Sequence, residues 1–481
     1  MRALAAGLFA AIAATACVVG PKYTQPAALV PPSYKEVGAP LGTREWKVAQ
    51  PGDAATRGTW WTTFGDARLN DLEARLNVSN QTIAAAVANV DIARAMVRQA
   101  RAQYFPTLTA NASIVNSRVA TGFGQTFGRV FAAYLLTLDA AWEPDFWGRI
   151  RHTVAASRFG LQVSAADLEN VRLSAQAELA LDYWSLRVQD ALVQVLDASV
   201  VAYQESLAIT RARFVGGLES DEAVAQAETQ LRATQAQATN LGILRAQFEH
   251  AIAVLVGEPP ATLSIAVDTS TSLTPPPVPA GLPSELLERR PDIAAAERAM
   301  AQANAQIGIA RAGFFPQTIL HGSFGFEGLS LATWLTWPSR IWAVGPSLAQ
   351  AIFDGGLRRA TVQQYRAVYE GTVATYRQTV LTAFQEVEDN LASLRILPTA
   401  IAEQNAAVQS AQRSLQVADV RYRSGVDPYL NVLVAQTALL NTQQTAVSFQ
   451  GQQLTATVQL IKALGGGWDV SELQSVTASG H

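Results

Sequence analysis

The chain has 481 residues, of which 49% are hydrophobic and 16% charged, with a formal net charge of −3. That balance gives no electrostatic argument for nucleic acid, and one cysteine excludes an intrachain disulfide. Outside the first positions no apolar run is long enough for a transmembrane helix, which needs about 20 residues. The charged fraction is below the roughly one quarter usual for soluble proteins. Arginine carries nearly all the positive charge, lysine being confined to Lys22, Lys35, Lys47 and Lys462; composition alone assigns no function to that.

Arg2, the apolar run Leu4 to Ala14 and the small residues Ala14-Thr15-Ala16 before Cys17 describe a bacterial export signal over 1–16. The segment resembles a lipobox, with Ala14 where leucine is commoner. The resemblance implies a covalent lipid on Cys17 as the mature N-terminus, and Val18 beside it favours outer-membrane sorting. An ordinary signal with an incidental cysteine is the alternative.

Residues 17–65 form a proline-rich, extended N-terminal segment. Leu69, Leu72, Leu76, Ile83 and Val87 then lie at helical spacings, predicting a helix from Asp66 to Gln103 that stops before Phe105-Pro106. The period next changes to two. Leu108, Ala110, Ala112 and Ile114, and after a Gly-rich loop Ala132, Tyr134, Leu136, Leu138 and Trp142, predict a β-hairpin over 107–142 with one apolar face.

From Phe146 to Val256 there is no proline, and Leu179, Leu186, Val193, Val200, Leu207 and Phe214 recur every seven residues. That is a coiled-coil seam. A helix from Phe146 to Phe214 would be about 100 Å long. Val215-Gly216-Gly217-Leu218 ends it, and a second run from Ser220 to Val256 completes a long antiparallel helical hairpin.

The same object occurs twice. Adding 208 to each seam position gives Val387, Leu394, Ile401, Val408, Leu415 and Tyr422, and the tip maps onto Tyr422-Arg423-Ser424-Gly425-Val426. Upstream, Ala100 to Pro106 matches Ala310 to Pro316 at an offset of 210. Repeat 1 is 66–258 and repeat 2 is 284–464, joined by a Pro-rich linker over 259–283 and followed by a tail over 465–481. In repeat 2 a short helical start (284–290) and a helix from Pro291 to Ala312 lead to a hairpin over 317–352. There Leu320, Phe324, Phe326, Trp342, Val344, Leu348 and Ile352 share one parity; Trp334 and Trp337 suit an interfacial girdle. Pro346 is disfavoured in a paired strand. A helical hairpin over 356–464 follows, with a kink expected at Pro398.

Four strands with an apolar face cannot close a barrel, which needs about eight, and an open edge in lipid leaves backbone groups unsatisfied. Other copies of the chain must complete it, and the helical seams ask for partners in the same way. The predicted class is an α+β membrane protein, a β-barrel continued by a tube of coiled-coil helices.

Leu286 to Ile293, Phe314-Phe315-Pro316, Val344-Gly345-Pro346-Ser347-Leu348, Phe353-Asp354-Gly355-Gly356, the two glycine tips and Ala463 to Trp468 resemble the outer membrane factor family, the exit ducts of tripartite efflux pumps. The resemblance implies a homotrimer with a 12-stranded barrel, four strands per chain, a periplasmic helical tunnel and a mixed equatorial domain. It implies a periplasmic adaptor, an inner-membrane RND-type pump met mostly indirectly, and outer-membrane lipid as partners, with no nucleic acid and no cofactor beyond the lipid. Val215, Gly216, Gly217, Leu218, Ser424, Gly425, Val426 and Asp427 are then the adaptor-docking tips, and Leu430, Asn431 and Val434 line a periplasmic gate without the usual aspartates. A plain turn at the tips, and a seam role for Val434, are the blander readings. Heavy-metal efflux and type I secretion are alternative uses of such a duct.

Two other classes fare worse. His152, His250, His321 and His481 have no metal-ligand spacing, and Gly122 to Gly128 misses the dinucleotide fingerprint and lies between strands. Gly345 to Ala349 only approximates a nucleophile elbow. No enzyme is expected. A coiled-coil scaffold without a pore would not carry two hairpins with lipid-suited faces.

Overall fold

A computed structural model describes residues 19–26, 31, 34–36, 58–118, 130–269, 271–278 and 290–466. Cys17, the end of the linker from residue 279 and, apart from Arg290, the helical start expected over 284–290 lie outside them, as does nearly all of the tail.

A short 3-10 turn (Trp60–Phe64) leads into α1 (Ala67–Ser79) and α2 (Gln81–Ala102). The sequence pattern predicted one helix here; the chain breaks it at Asn80. Asp66 caps α1 by accepting from Leu69 N, and the Asn80 side chain caps α2 by accepting from Ile83 N, both at 2.9 Å. The break has a tertiary cause. Asn80 Nδ2 donates to Leu255 O at 2.7 Å and Ser79 Oγ to Val256 O at 2.6 Å, so the interruption satisfies carbonyls at the end of a later helix.

Strands β1 (Thr107–Arg118), β2 (Val130–Trp142), β3 (Gln317–Gly328) and β4 (Arg340–Ala349) form one antiparallel sheet in the order β1-β2-β3-β4. The register pairs even with even residues throughout: Ala110 with Leu138, Leu138 with Phe324, Phe324 with Trp342. Side chains alternate faces along a strand, so one apolar face runs unbroken across both repeats. The other face is polar. There Asp139 accepts from Asn111 (2.7 Å), Thr137 (2.8 Å) and Ser323 (2.6 Å), joining three strands. β4 stops at Ala349 rather than reaching 352, because its partner begins only at Gln317, after Pro316.

The helices α3 (Arg149–Val215) and α6 (Leu357–Arg423) each have 67 residues; their partners α4 (Asp221–Leu255) and α7 (Tyr429–Ala463) each have 35. Helix α5 (Pro291–Ala312) is the repeat-2 counterpart of α2. The glycines Gly148 and Gly356, at φ 82° and 94°, start the two long helices. Pro398 lies within continuous α6 helix. All four long helices end in the same device. Leu218 N to Arg213 O (2.8 Å) with Gly217 N to Phe214 O (2.9 Å) recurs as Val426 to Arg421 with Gly425 to Tyr422, both 2.9 Å. It also recurs at Gly257 and Gly465. These are Schellman closures, which need a left-handed residue, and Gly217 and Gly425 supply it at φ 70° and 74°.

Among the described residues no helix is long and apolar enough to cross a membrane. The core is instead divided along the molecule. One part packs Trp60, Trp61 and α1 against Tyr183 and Trp184; another packs Tyr34 and Met300 against Tyr376 and Phe384; a third, near the tips, joins Tyr203, Leu207, Tyr422 and Tyr429. The linker is locked to repeat 1 by buried charges. Asp190 accepts from Arg187 (2.9 Å) and Arg245 (2.7 Å), which also donate to Ala266 O and Ile265 O. At the equivalent place in repeat 2, 208 residues on, Arg395 holds Glu36 of the N-terminal segment at 2.6 Å.

Candidate functional site at the helical tips

Both hairpin tips lie together at the end of the molecule away from the sheet. Arg213 joins them: its Nη1 donates to Tyr422 O (3.1 Å) and Arg423 O (3.3 Å), and its guanidinium stacks on the Tyr422 ring at 4.8 Å. Tyr422 Oη donates to Thr210 Oγ1 at 3.1 Å and its ring meets Tyr429 edge-on at 5.5 Å. Burial pushes the Tyr429 hydroxyl up to about 12, so it stays neutral at any physiological pH.

Around this anchor the tips are bare. Val215 is 86% exposed, Leu218 72% and Val426 62%. Gly216 and Gly425 are exposed, and a Cβ at Gly217 would meet nothing within 4 Å. Ser424 turns back to donate to Val420 O at 2.8 Å. Asp427 does not add a free charge to this end: Arg421 grips it at 2.6 and 3.0 Å and holds its carboxyl below the usual range. Asp221 and Glu222 remain in the first turn of α4, where the helix dipole favours them.

One turn beyond the second tip, Leu430, Asn431 and Val434 share one exposed face of α7, while Tyr429, Val432, Ala435 and Gln436 on the other are buried. Val434 is 61% exposed, so it is no seam residue within its own chain. The three carry no charge.

The opposite end of the molecule, near the sheet, holds residues 19–23. Val19 N donates to Trp147 O (3.3 Å), His152 Nε2 contacts Val19 O (3.1 Å), Asn304 donates to Pro21 O (3.0 Å) and Tyr23 Oη to Glu297 (2.6 Å). Gly308 lets this happen, since a Cβ there would collide with the His152 ring at 2.6 Å. Trp147 stacks on Phe315 at 4.7 Å beneath the strands. Sequence reasoning missed Arg213, Arg421 and His152; an Arg-to-Asp spacing that brackets a glycine turn was the available signal for Arg421.

The sequence model of the outer membrane efflux protein family matches this chain twice, over residues 74–258 and 282–466. The chain is 33% identical over 477 residues to the solvent efflux pump outer membrane protein SrpC of Pseudomonas putida, covering 97% of this chain and 98% of that protein. It is 32% identical over 465 residues to the antibiotic efflux pump outer membrane protein ArpC of Pseudomonas putida, covering 95% of each. Among solved structures, the outer-membrane channel OprN superposes with a TM-score of 0.85 at 29% identity, covering 94% of this chain and 100% of that one. The four strands per chain are thus one third of a trimeric barrel in the outer membrane, continued into the periplasm by the long helices. The chain belongs to the outer membrane efflux protein family and is the outer-membrane channel of an efflux system.

Proposed function

We propose that this channel completes a tripartite pump for small, largely apolar toxic compounds, with a periplasmic adaptor docked on the two tips. Leu430, Asn431 and Val434 close its entrance, and a lipid on Cys17 tethers it. The observation that carries this reading is the juxtaposition at one end: two rigid, glycine-turned, apolar tips and, one helical turn away, an exposed uncharged stripe. Three-fold symmetry turns each stripe residue into a ring of three. Leu430 and Val434 then pack against their copies, and no carboxylate ring focuses a negative potential there. Exposed Leu218 and Val426 are small knobs that a helical hairpin of the adaptor can take up, and the glycines admit its backbone closely.

The cargo class rests on two supports. The named relatives serve solvent and antibiotic efflux. A concavity across α3, α4, α6 and α7 is lined by residues such as Ser185, Gln189, Leu192, Ser393 and Gln452 and by no charged side chain. Such a wall lets an apolar solute pass without desolvating ions. Val19 leads to the tether from a place directly beneath the strands, so a lipid two residues upstream needs no long linker.

Gly217→Trp and Gly425→Trp test the docking role. Toluene or antibiotic tolerance should fall to the level of a strain lacking the channel, while heat-modifiable trimer persists. Full tolerance in both variants would show that the adaptor docks elsewhere.

A further inference from the structure

The arginine excess has a place in the structure. The four helix–strand junctions, residues 94–106, 143–158, 306–316 and 350–366, hold ten arginines and three acids in a chain whose net charge is −3. All three acids are already paired: Glu143 with Arg149, Asp145 with Arg151, Asp354 with Arg358. Trimer symmetry repeats this surplus around the periplasmic rim of the barrel. Beside it lie Trp142, Trp147, Phe105 and Phe315, the amphipathic and aromatic residues that favour a membrane interface.

The internal duplication shows which of these arginines are not incidental. Aligning 146–166 with 354–374 leaves six identities: Gly148 with Gly356, Arg151 with Arg359, Thr153 with Thr361, Val154 with Val362, Arg158 with Arg366 and Ala166 with Ala374. The glycines cap helices and the two valines are buried, at 4% and 7% exposure. Arg151 is tied to Asp145 at 3.1 Å, but the other three retained arginines have no such duty. Arg158, Arg359 and Arg366 are exposed and have no hydrogen bond or ion pair among the described residues. Arg101 and Arg311 form a third retained pair, at the ends of α2 and α5.

Their direction follows from the register. Arg149 reaches Glu143, whose carboxylate also accepts from Gln317 at 2.8 Å, a residue of the polar, lumenal face of the sheet. Arg151 is two residues further, about 160° round the helix, and so turns to the lipid side. Arg158 lies two turns below it on the same stripe, and Arg359 and Arg366 take the matching stripe of α6.

We infer that these arginines form a collar that binds the phosphates of anionic phospholipid in the periplasmic leaflet of the outer membrane. A guanidinium fork matches a phosphate with two parallel hydrogen bonds, which an ammonium does not. The collar holds the barrel at a fixed depth, independently of any lipid on Cys17.

The test places purified trimer in zwitterionic vesicles with traces of dansyl-labelled phosphatidylglycerol or phosphatidylcholine. Energy transfer from tryptophan reads the lipid at the rim. At low salt phosphatidylglycerol should be enriched roughly fivefold or more over phosphatidylcholine. The ratio should fall toward one in the Arg158→Gln/Arg359→Gln/Arg366→Gln variant and stay unchanged in Arg232→Gln/Arg413→Gln, far down the helices. Heat-modifiable trimer on a gel establishes folding, and Arg366→Gln alone, with a partial loss, gives the reading if the triple variant does not assemble. A ratio of one in the wild type, or a preference that survives the substitutions, overturns the collar. Abolition of the preference by millimolar inorganic phosphate at constant ionic strength would also overturn it, in favour of a small-anion site.

Discussion

Glu73 is the residue whose replacement should change stability most unexpectedly. It sits on α1 with 0% of its surface exposed, and neither carboxylate oxygen has a hydrogen-bond partner among the described residues. Burial pushes its pKa from 4.5 up to about 9. Below about pH 4.5 the folded and unfolded chains both hold the proton, and the group has no effect through titration. As pH rises toward 9 the unfolded chain has lost the proton while the folded chain keeps it. The native state therefore loses ground by about 1.4 kcal/mol per pH unit. At pH 7.5 this amounts to about 4 kcal/mol per protomer as an upper bound. Glu73→Gln keeps the shape of the protonated acid and removes the titration. The variant should match the wild type near pH 5 and be more stable by a few kcal/mol at pH 8. Because such trimers unfold irreversibly, the quantity to follow is the temperature of trimer dissociation, measured on gels and by circular dichroism from pH 5 to pH 8.5. The wild-type value should drop with pH and the variant's should stay level. Parallel curves would refute the argument and show that Glu73 is ionised and hydrated in the folded trimer.

Two further substitutions probe the sheet and the linker. At Gly325 in β3 a Cβ would overlap the Leu136 carbonyl oxygen and crowd Thr137 Cα, all backbone, so Gly325→Ala should part β2 from β3 and abolish heat-modifiable trimer. Gly345→Ala, with nothing within 4 Å, should assemble normally. Asp190→Ala leaves Arg187 and Arg245 without their shared carboxylate in a site where Arg187 is 4% exposed. That should cost about 3–5 kcal/mol and open the linker around Ile265 to limited proteolysis; unchanged protease resistance would contradict it.

Much of this architecture is legible in the residues because it depends on periods and repeats. The seven-residue seam predicts the long hairpins, and the 208-residue offset places the second tip by the first. What stayed hidden is tertiary. Asn80 breaks a helix that its neighbours' propensities would continue, since its side chain is needed by the end of α4. The end of β4 is set by where β3 begins, not by its own alternation, which runs on to Ile352. Arg213 reads as an ordinary surface arginine until the fold brings Tyr422, 209 positions away, beneath it. The Leu430, Asn431 and Val434 stripe was visible as helical spacing, but only burial separates it from a seam.

In the proposed channel the duct is shut at its periplasmic end by an uncharged ring of Leu430, Asn431 and Val434. Single-channel recording of the purified trimer in planar bilayers, side by side with Val434→Asp, tests it most directly. We predict low conductance, weak cation selectivity and little block by multivalent cations for the wild type, and a marked rise in both selectivity and block for the variant. Strong cation selectivity and tight multivalent block in the wild type would rule out the uncharged ring and assign the entrance to the acids near the tips.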